Sequence, residues 1–240
     1  MLVLITNALK RLKTEGPRAT VWLAGARLRA LVRSLLEDRR RGVSTARAVK
    51  DRELGNDDLR NHWYVATDYE TFDQAMRHVE IRPGEDVFVD MGSGKGRIVL
   101  LAADHPFRRI IGVEFSPQLH ACALENVRAA GCRNVELVLA DATQWKIPPE
   151  ATVLFFFNPF DGGVLAKVWE NIQRSLAEAP RKMTIIYVRA DKFFEKEIAW
   201  QRWLTRKLQL PCLEGKVTIY ESKSPIEAFA GADAKVSRAL

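Results

Sequence analysis

Cysteine is scarce: Cys122, Cys132 and Cys212 are odd in number and lack metal-ligand spacing, which argues against a disulfide framework and against a zinc knuckle. The four histidines, at 62, 78, 105 and 120, form no H-x-x-x-H pair, so no metal is expected. No run reaches 18 apolar residues, and a transmembrane segment is not supported. The first nine residues lean apolar, but their basic cluster follows them, the wrong order for a secretory signal. With the thiols, this predicts a cytoplasmic protein. There is no G-K-[ST] triplet, which excludes a P-loop: Lys95 lies between glycines. Internal repeats, low-complexity stretches and a second globular domain are also missing.

What is present begins with a lopsided charge. The formal net charge is +7. Residues 1–52 hold 13 Lys/Arg against 4 Asp/Glu, a net of +9, while the rest of the chain is close to neutral. Such an extension can steer an acidic partner, nucleic acid or an anionic membrane, or it can simply be a solvated helix face. Residues 20–41 place Leu28, Leu31, Val32, Leu35 and Leu36 at helical spacing, with Arg27, Arg29 and Arg33 interleaved. This predicts an amphipathic helix whose apolar stripe packs on the body of the protein, a membrane or partner being the alternative. Gly42 offers a stop, and Ser44 or Thr45 a cap for a second short helix. Residues 51–71 read as a connection, and Thr71 as the cap of a helix over 72–81 that Pro83-Gly84 ends.

From residue 86 the pattern alternates. Strands are expected at 86–91, 109–114, 135–140, 152–158 and 182–188, with helices near 95–104, 117–130, 163–178 and 192–207. Apolar strands separated by helices predict an α/β fold: a doubly wound, mostly parallel sheet covered on both faces. Strands at 208–213 and 217–223, joined by Glu214-Gly215-Lys216, predict an antiparallel hairpin at one edge and seven strands in all. The expected organisation is a basic helical extension and substrate-side cover (1–70), a catalytic domain (71–224) and a tail (225–240).

The chemistry collects at strand ends, where open α/β sheets bind ligands. The run VFVDMGSGKGR (87–97) ends a strand at Asp90, then sets Gly92, Gly94 and Gly96 at intervals of two, with small Ser93 between the first pair. Glycines so placed let a strand turn directly into a helix and let a ligand approach the backbone. Amides at the new helix N-terminus can hold an anionic group. Glu114 ends the second strand 20 residues beyond Gly94, and its carboxylate can accept from two ribose hydroxyls. Asp141, followed by small Ala142, can accept from an adenine amine, Phe115 can pack a base face, and Asp90 can receive an ammonium. A nicotinamide enzyme also pairs glycines with a later acid, but the spacing departs from G-x-G-x-x-G and Asp90 would crowd a pyrophosphate.

These residues resemble the class I, seven-stranded S-adenosylmethionine-dependent methyltransferases over 86–223. The resemblance implies a Rossmann-like methyltransferase fold and S-adenosyl-L-methionine as cofactor, with S-adenosyl-L-homocysteine as product. Asp90, Gly92, Ser93, Gly94 and Gly96 then form the first motif, Glu114 the ribose ligand with Phe115 beside it, and Asp141 with Ala142 the adenine side. Asn158-Pro159-Phe160 falls at the transfer site. Thr71-Phe72-Asp73-Gln74, VDMGSGKGR and GVEFSPQLH together are similar to the non-SET histone-lysine methyltransferase core and related bacterial proteins. Asn158-Pro159-Phe160 also resembles the Asn/Asp-Pro-Pro-Tyr/Phe motif of amino-group methyltransferases, with the second proline absent.

An activated sulfonium methyl needs an aligned lone pair and exclusion of water more than it needs acid–base help. Asn158 and a carbonyl near Pro159 can accept the N–H bonds of an amine, and Phe160 can pack the acceptor or the sulfonium. The implied wall of the site is Trp63, Tyr64, Asp68 and Tyr69, with Tyr69 or His62 available as a base for a hydroxyl. The leading reading is methyl transfer to an amino group of a protein or small molecule. The other readings are an RNA-directed enzyme, a small-molecule O-methyltransferase, or a cofactor-binding module without turnover. Nucleic acid is the weaker partner class, because no aromatic platform accompanies the basic extension.

Overall fold

Strands that are apolar along their whole length cannot leave one face in water, so a sheet built from them must be covered on both sides. The computed structural model describes residues 2–47, 65–157, 162–190, 194–195, 198 and 201–223. In chain order the elements are α1 (Leu2–Arg41), α2 (Tyr69–Met76), β1 (Val87–Met91), α3 (Arg97–Ala102), β2 (Arg109–Glu114), α4 (Pro117–Ala129) and β3 (Val135–Leu139). Then follow β4 (Ala151–Phe157), α5 (Gly162–Glu178), β5 (Thr184–Val188), β6 (Leu204–Cys212) and β7 (Gly215–Ser222). Among the described residues the strands form one seven-stranded sheet of order β3-β2-β1-β4-β5-β7-β6. The first five are parallel, and β7 is antiparallel to both its neighbours.

Strand alternation divides the core into two layers. In β4, Leu154 and Phe156 join Trp169, Val168 and Ile172 of α5 on one face. Val153 and Phe155 join Phe72 of α2 and Val99 and Leu101 of α3 on the other. Phe155 and Phe156 have no solvent exposure, and burial of each such ring stabilises the fold by about 2–3 kcal/mol.

Two sequence expectations need correction here. β6 starts at Leu204 rather than 208, so it takes the last residues expected in a helix over 192–207. A register shift between Arg206 and Leu208 breaks the alternation that would have marked the strand. The cap of α2 is Asp68, not Thr71: Asp68 Oδ1 accepts the Thr71 N–H at 3.0 Å and Oδ2 accepts the Thr71 hydroxyl. The helix therefore begins at Tyr69 and ends at Met76, short of 81.

The helix α1 differs most from expectation. It kinks at Gly16 (φ 81°), just before Pro17, and ends as read at Gly42 (φ 68°). There the Val43 N–H donates to the Asp38 carbonyl at 2.9 Å and the Gly42 N–H to that of Arg39 at 3.3 Å, which is the Schellman closure. Residues 43–47 then run as irregular chain, with neither Ser44 nor Thr45 capping a helix there. The apolar stripe does not pack on the body: Leu28, Leu31, Val32, Leu35 and Leu36 are 47–63% exposed. The inward face is instead polar, and Arg97 explains why. This guanidinium, 4% exposed, donates to the Thr45 hydroxyl (2.7 Å), the Ser34 hydroxyl (2.9 Å) and the Thr67 carbonyl (3.2 Å), and pairs with Asp38 at 3.5 Å. Asp38 also accepts from the Thr45 hydroxyl (2.7 Å) and the N–H groups of Thr45 (2.5 Å) and Ala46 (2.7 Å). A buried charge left unpaired costs several kcal/mol, more than a half-exposed leucine gains on burial.

Truncation of this anchor is expected to cost about 3–5 kcal/mol, as for other buried pairs that lose one partner. Urea unfolding of Asp38→Ala measures it, and a loss under about 1 kcal/mol would leave α1 without its proposed anchor.

Candidate functional site

The sheet aligns the chemistry-bearing residues along one edge. Met91 pairs with both Val113 and Phe156, and Glu114 pairs with Leu139. The C-terminal ends of β1, β2, β3 and β4 therefore lie side by side. The chain winds outward in one direction from β1 to β3 and in the other from β4 to β5, so the crevice of an open sheet falls between β1 and β4.

Gly92, Gly94 and Gly96 all take positive φ, at 88°, 54° and 84°, a region that side-chain-bearing residues rarely enter. The turn is held from within: Gly92 and Ser93 N–H both donate to the Val113 carbonyl at 2.9 Å, and Gly96 N–H to the Ser93 carbonyl at 2.8 Å. A Cβ on Gly96 would lie 3.3 Å from that of Ala123, so this glycine also sets how closely α3 and α4 approach.

Glu114, 8% exposed, ties this turn to β2. Its Oε2 accepts from Gly94 N–H at 2.7 Å and its Oε1 from Ser116 N–H at 2.8 Å. Each oxygen retains a lone pair for a ligand hydroxyl. Burial raises the Glu114 pKa, against the pull of the Ser116, Gly94 and Phe115 amides. Asp90 is 3% exposed, and burial first, then the charge of Glu114, pushes it well above the ordinary carboxylate range. Two buried acids side by side favour a cation between or beside them.

Around this pair, Phe115 is 56% exposed and presents an apolar face, while Ala142 is 6% exposed. Asp141 turns the chain after β3: its Oδ1 accepts both the N–H and the hydroxyl of Thr143 at 2.8 Å, which engages one carboxylate oxygen. Thus Asp90, Gly92, Ser93, Gly94, Gly96, Glu114, Phe115, Asp141 and Ala142 gather at one edge. Asn158 and Phe160, like His62, Trp63 and Tyr64, lie outside the described residues.

Tyr69 belongs to the α1 anchor. It is 4% exposed, its ring lies 5.0 Å from the Arg97 guanidinium and 5.5 Å from that of Arg33, and its hydroxyl is 3.5 Å from Asp38. Burial raises its phenol pKa. Asp68 is likewise taken up by the α2 cap. Arg97 and Lys95, inside the glycine motif, turn toward the extension: the Lys95 ammonium donates to the Arg47 carbonyl at 2.9 Å.

Three supporting residues carried no signal that sequence reading used. Gly112 pairs with Asp90 across the ladder, and a Cβ there would meet Leu137 at 2.8 Å and the Ser93 hydroxyl at 2.9 Å. Asn126 donates to the Lys95 carbonyl (2.9 Å) and accepts from Ser44 N–H (2.9 Å), which stitches the glycine turn to the extension. Asn171 of α5 donates to the carbonyls of Ala142 (3.1 Å) and Trp145 (2.5 Å). An asparagine inside an amphipathic helix was the available clue, because the residue disfavours helix interiors unless its amide is engaged. Among the described residues no group of three or more His, Cys, Asp or Glu side chains could hold a metal ion.

Comparison with known proteins matches residues 88–179 to the methyltransferase domain family. An RNA methyltransferase of Salinibacter ruber, solved with S-adenosyl-L-homocysteine, is 27% identical and superimposes with a TM-score of 0.50 over 67% of this chain and 94% of its own. Residues 88–179 thus carry a methyltransferase-domain match, on a seven-stranded sheet with the strand order of the Rossmann-like methyltransferase fold. Similarity to curated proteins is local. A Drosophila melanogaster histone-lysine N-methyltransferase specific for H3 lysine-79 is 42% identical over 52 residues, 21% of this chain and 3% of that one. A tRNA (guanine-N(7)-)-methyltransferase of Levilactobacillus brevis is 38% identical over 58 residues, 24% and 27%. The chain spans 36% or less of the curated relatives it matches.

The acids at the edge give this site a pH signature. Asp90 holds its proton more tightly folded than unfolded, so its contribution to stability is full below the unfolded value of about 4 and declines as pH rises toward the raised one. Asp90→Asn, which cannot ionise, is expected to gain stability relative to the parent as pH rises from about 4 to 8. Paired urea titrations of the ligand-free proteins test this; a difference that stays constant across the range contradicts it.

Proposed function

We propose that the protein is an S-adenosylmethionine-dependent methyltransferase acting on a nitrogen acceptor, an amino group of a protein or small molecule. One observation carries the cofactor half of the reading, that Glu114 grips the Gly94 amide at the strand tips beside the buried acid of Asp90; the amino-group half rests on Asn158-Pro159-Phe160 following β4 in the sequence. The residues fit the group. Glu114 keeps acceptor capacity for two ribose hydroxyls, Asp141 keeps its second oxygen for an exocyclic amine, and exposed Phe115 offers a surface for the base. The paired acids suit the positive charge of an α-ammonium and a sulfonium.

S-adenosylmethionine, when bound, supplies a methyl group already activated on sulfur. The chain's task is then alignment and the exclusion of water. Asn158 directly follows Phe157, the last residue of β4. In this reading its amide oxygen and a carbonyl near Pro159 would accept the N–H groups of the acceptor, leaving the nitrogen lone pair for the donor, and Phe160 would offer the acceptor an apolar neighbour. Tyr69 keeps its proton and acts as a positioning residue for α1.

RNA is the second reading for the acceptor, favoured by the 27% identity to the Salinibacter ruber RNA methyltransferase and by the net +9 of residues 1–52. Strongly salt-dependent RNA binding would favour it.

Two variants separate binding from transfer. Glu114→Ala is expected to weaken binding of S-adenosylhomocysteine at least about tenfold by calorimetry, the loss of one charge-assisted contact. Asn158→Ala is expected to bind it like the parent and to lose turnover on amine acceptors. Unchanged binding in the first would remove the ribose assignment, and unchanged turnover in the second the transfer site.

A further inference from the structure

The helix between Pro17 and Arg41 is docked with its amphipathicity reversed. Its polar residues Ser34 and Asp38 are 6% and 5% exposed against the body, held there by Arg97. Its large apolar residues face solvent: Val21 72%, Leu28 62%, Leu31 51%, Val32 47%, Leu35 54% and Leu36 63%. At about 100° per residue these six fall within an arc of roughly 140°, with Trp22, 68% exposed, at its margin. A continuous apolar stripe of this kind marks an interaction surface.

The charge around the stripe says what covers it. Between Pro17 and Arg41 there are seven arginines and two acids. Arg18 and Arg29 flank the stripe on one side and Arg27 on the other, while Arg39 and Arg40 stand exposed at its C-terminal end. Apolar residues in the middle with arginines along the borders suit a helix lying in the plane of a bilayer, its guanidinium groups at the headgroups. RNA would take the arginines but leave the leucines wet. A second copy of the chain would bury the leucines but set arginine against arginine. Among the described residues no helix is long and apolar enough to cross a membrane, so such a helix would lie on the surface.

We propose that the outer face of α1 is a docking surface for an anionic lipid bilayer. Because its inner face holds Arg97 at the end of the glycine turn, lipid would lie about one helix diameter, roughly 10 Å, from the start of α3. The inference is independent of the reading of the strand-tip site.

Co-sedimentation of the full chain with vesicles tests it, using phosphatidylcholine alone against phosphatidylcholine containing about one third phosphatidylglycerol. The parent is expected to partition at least about tenfold more strongly to the anionic vesicles. Leu31→Glu/Leu35→Glu, at positions already in water, is expected to fold normally by circular dichroism and to lose that partitioning. Arg29→Gln/Arg39→Gln is expected to lose the preference for anionic lipid while retaining weak binding to both vesicles. The proposal is overturned if the parent ignores both vesicles, or if Leu31→Glu/Leu35→Glu binds as the parent does. It is equally overturned if that pair instead converts a dimer to a monomer, or abolishes association with RNA.

Discussion

A single carboxylate holds the strand tips together. Glu114 accepts the Gly94 amide through one oxygen and the Ser116 amide through the other. The glycine turn between β1 and α3 and the turn between β2 and α4 are thus fixed to the same side chain. Without it, a turn of three positive-φ glycines would carry the largest backbone entropy of any residue type. The same burial that makes the carboxylate a good clamp raises its pKa and that of neighbouring Asp90. The carboxylate that clamps the turn is therefore also one of two buried acids at the strand tips.

The extension is attached by the same economy of buried polar groups. Arg97 follows the glycine turn directly and is buried, so it must find acceptors, and α1 supplies them. Asn126 and Lys95 add two further links from the turn to residues 44 and 47. The orientation of α1 is thus set by the charge beneath it, and its leucines are turned outward as a consequence. A stability requirement near the site leaves a surface free for a partner.

Much of this was legible in the residues. Apolar strands alternating with helical spacing gave the parallel sheet, and Glu214-Gly215-Lys216 gave the terminal hairpin. The glycines at 92, 94 and 96 and the acids at 90, 114 and 141 fall where strands end, and the register brings them to one edge. What failed to show was whatever depends on a distant partner. An apolar stripe ordinarily means core, and the outward turn of Leu28 to Leu36 follows from Arg97, some sixty residues away. Gly112 looks like an ordinary strand residue until Ser93 is seen to pack against it. The bulge at Lys207 hides a strand behind a helical pattern.

The central requirement of the proposed site is a cationic nucleoside that neutralises the acids at these strand tips. Calorimetric titration of S-adenosylmethionine near pH 6, in two buffers of different ionisation enthalpy, counts the protons exchanged on binding. One saturable site with net proton release is the required result, because the cation favours the ionised forms of Asp90 and Glu114. No binding of either S-adenosylmethionine or S-adenosylhomocysteine, with clear binding of a nicotinamide dinucleotide instead, would contradict it.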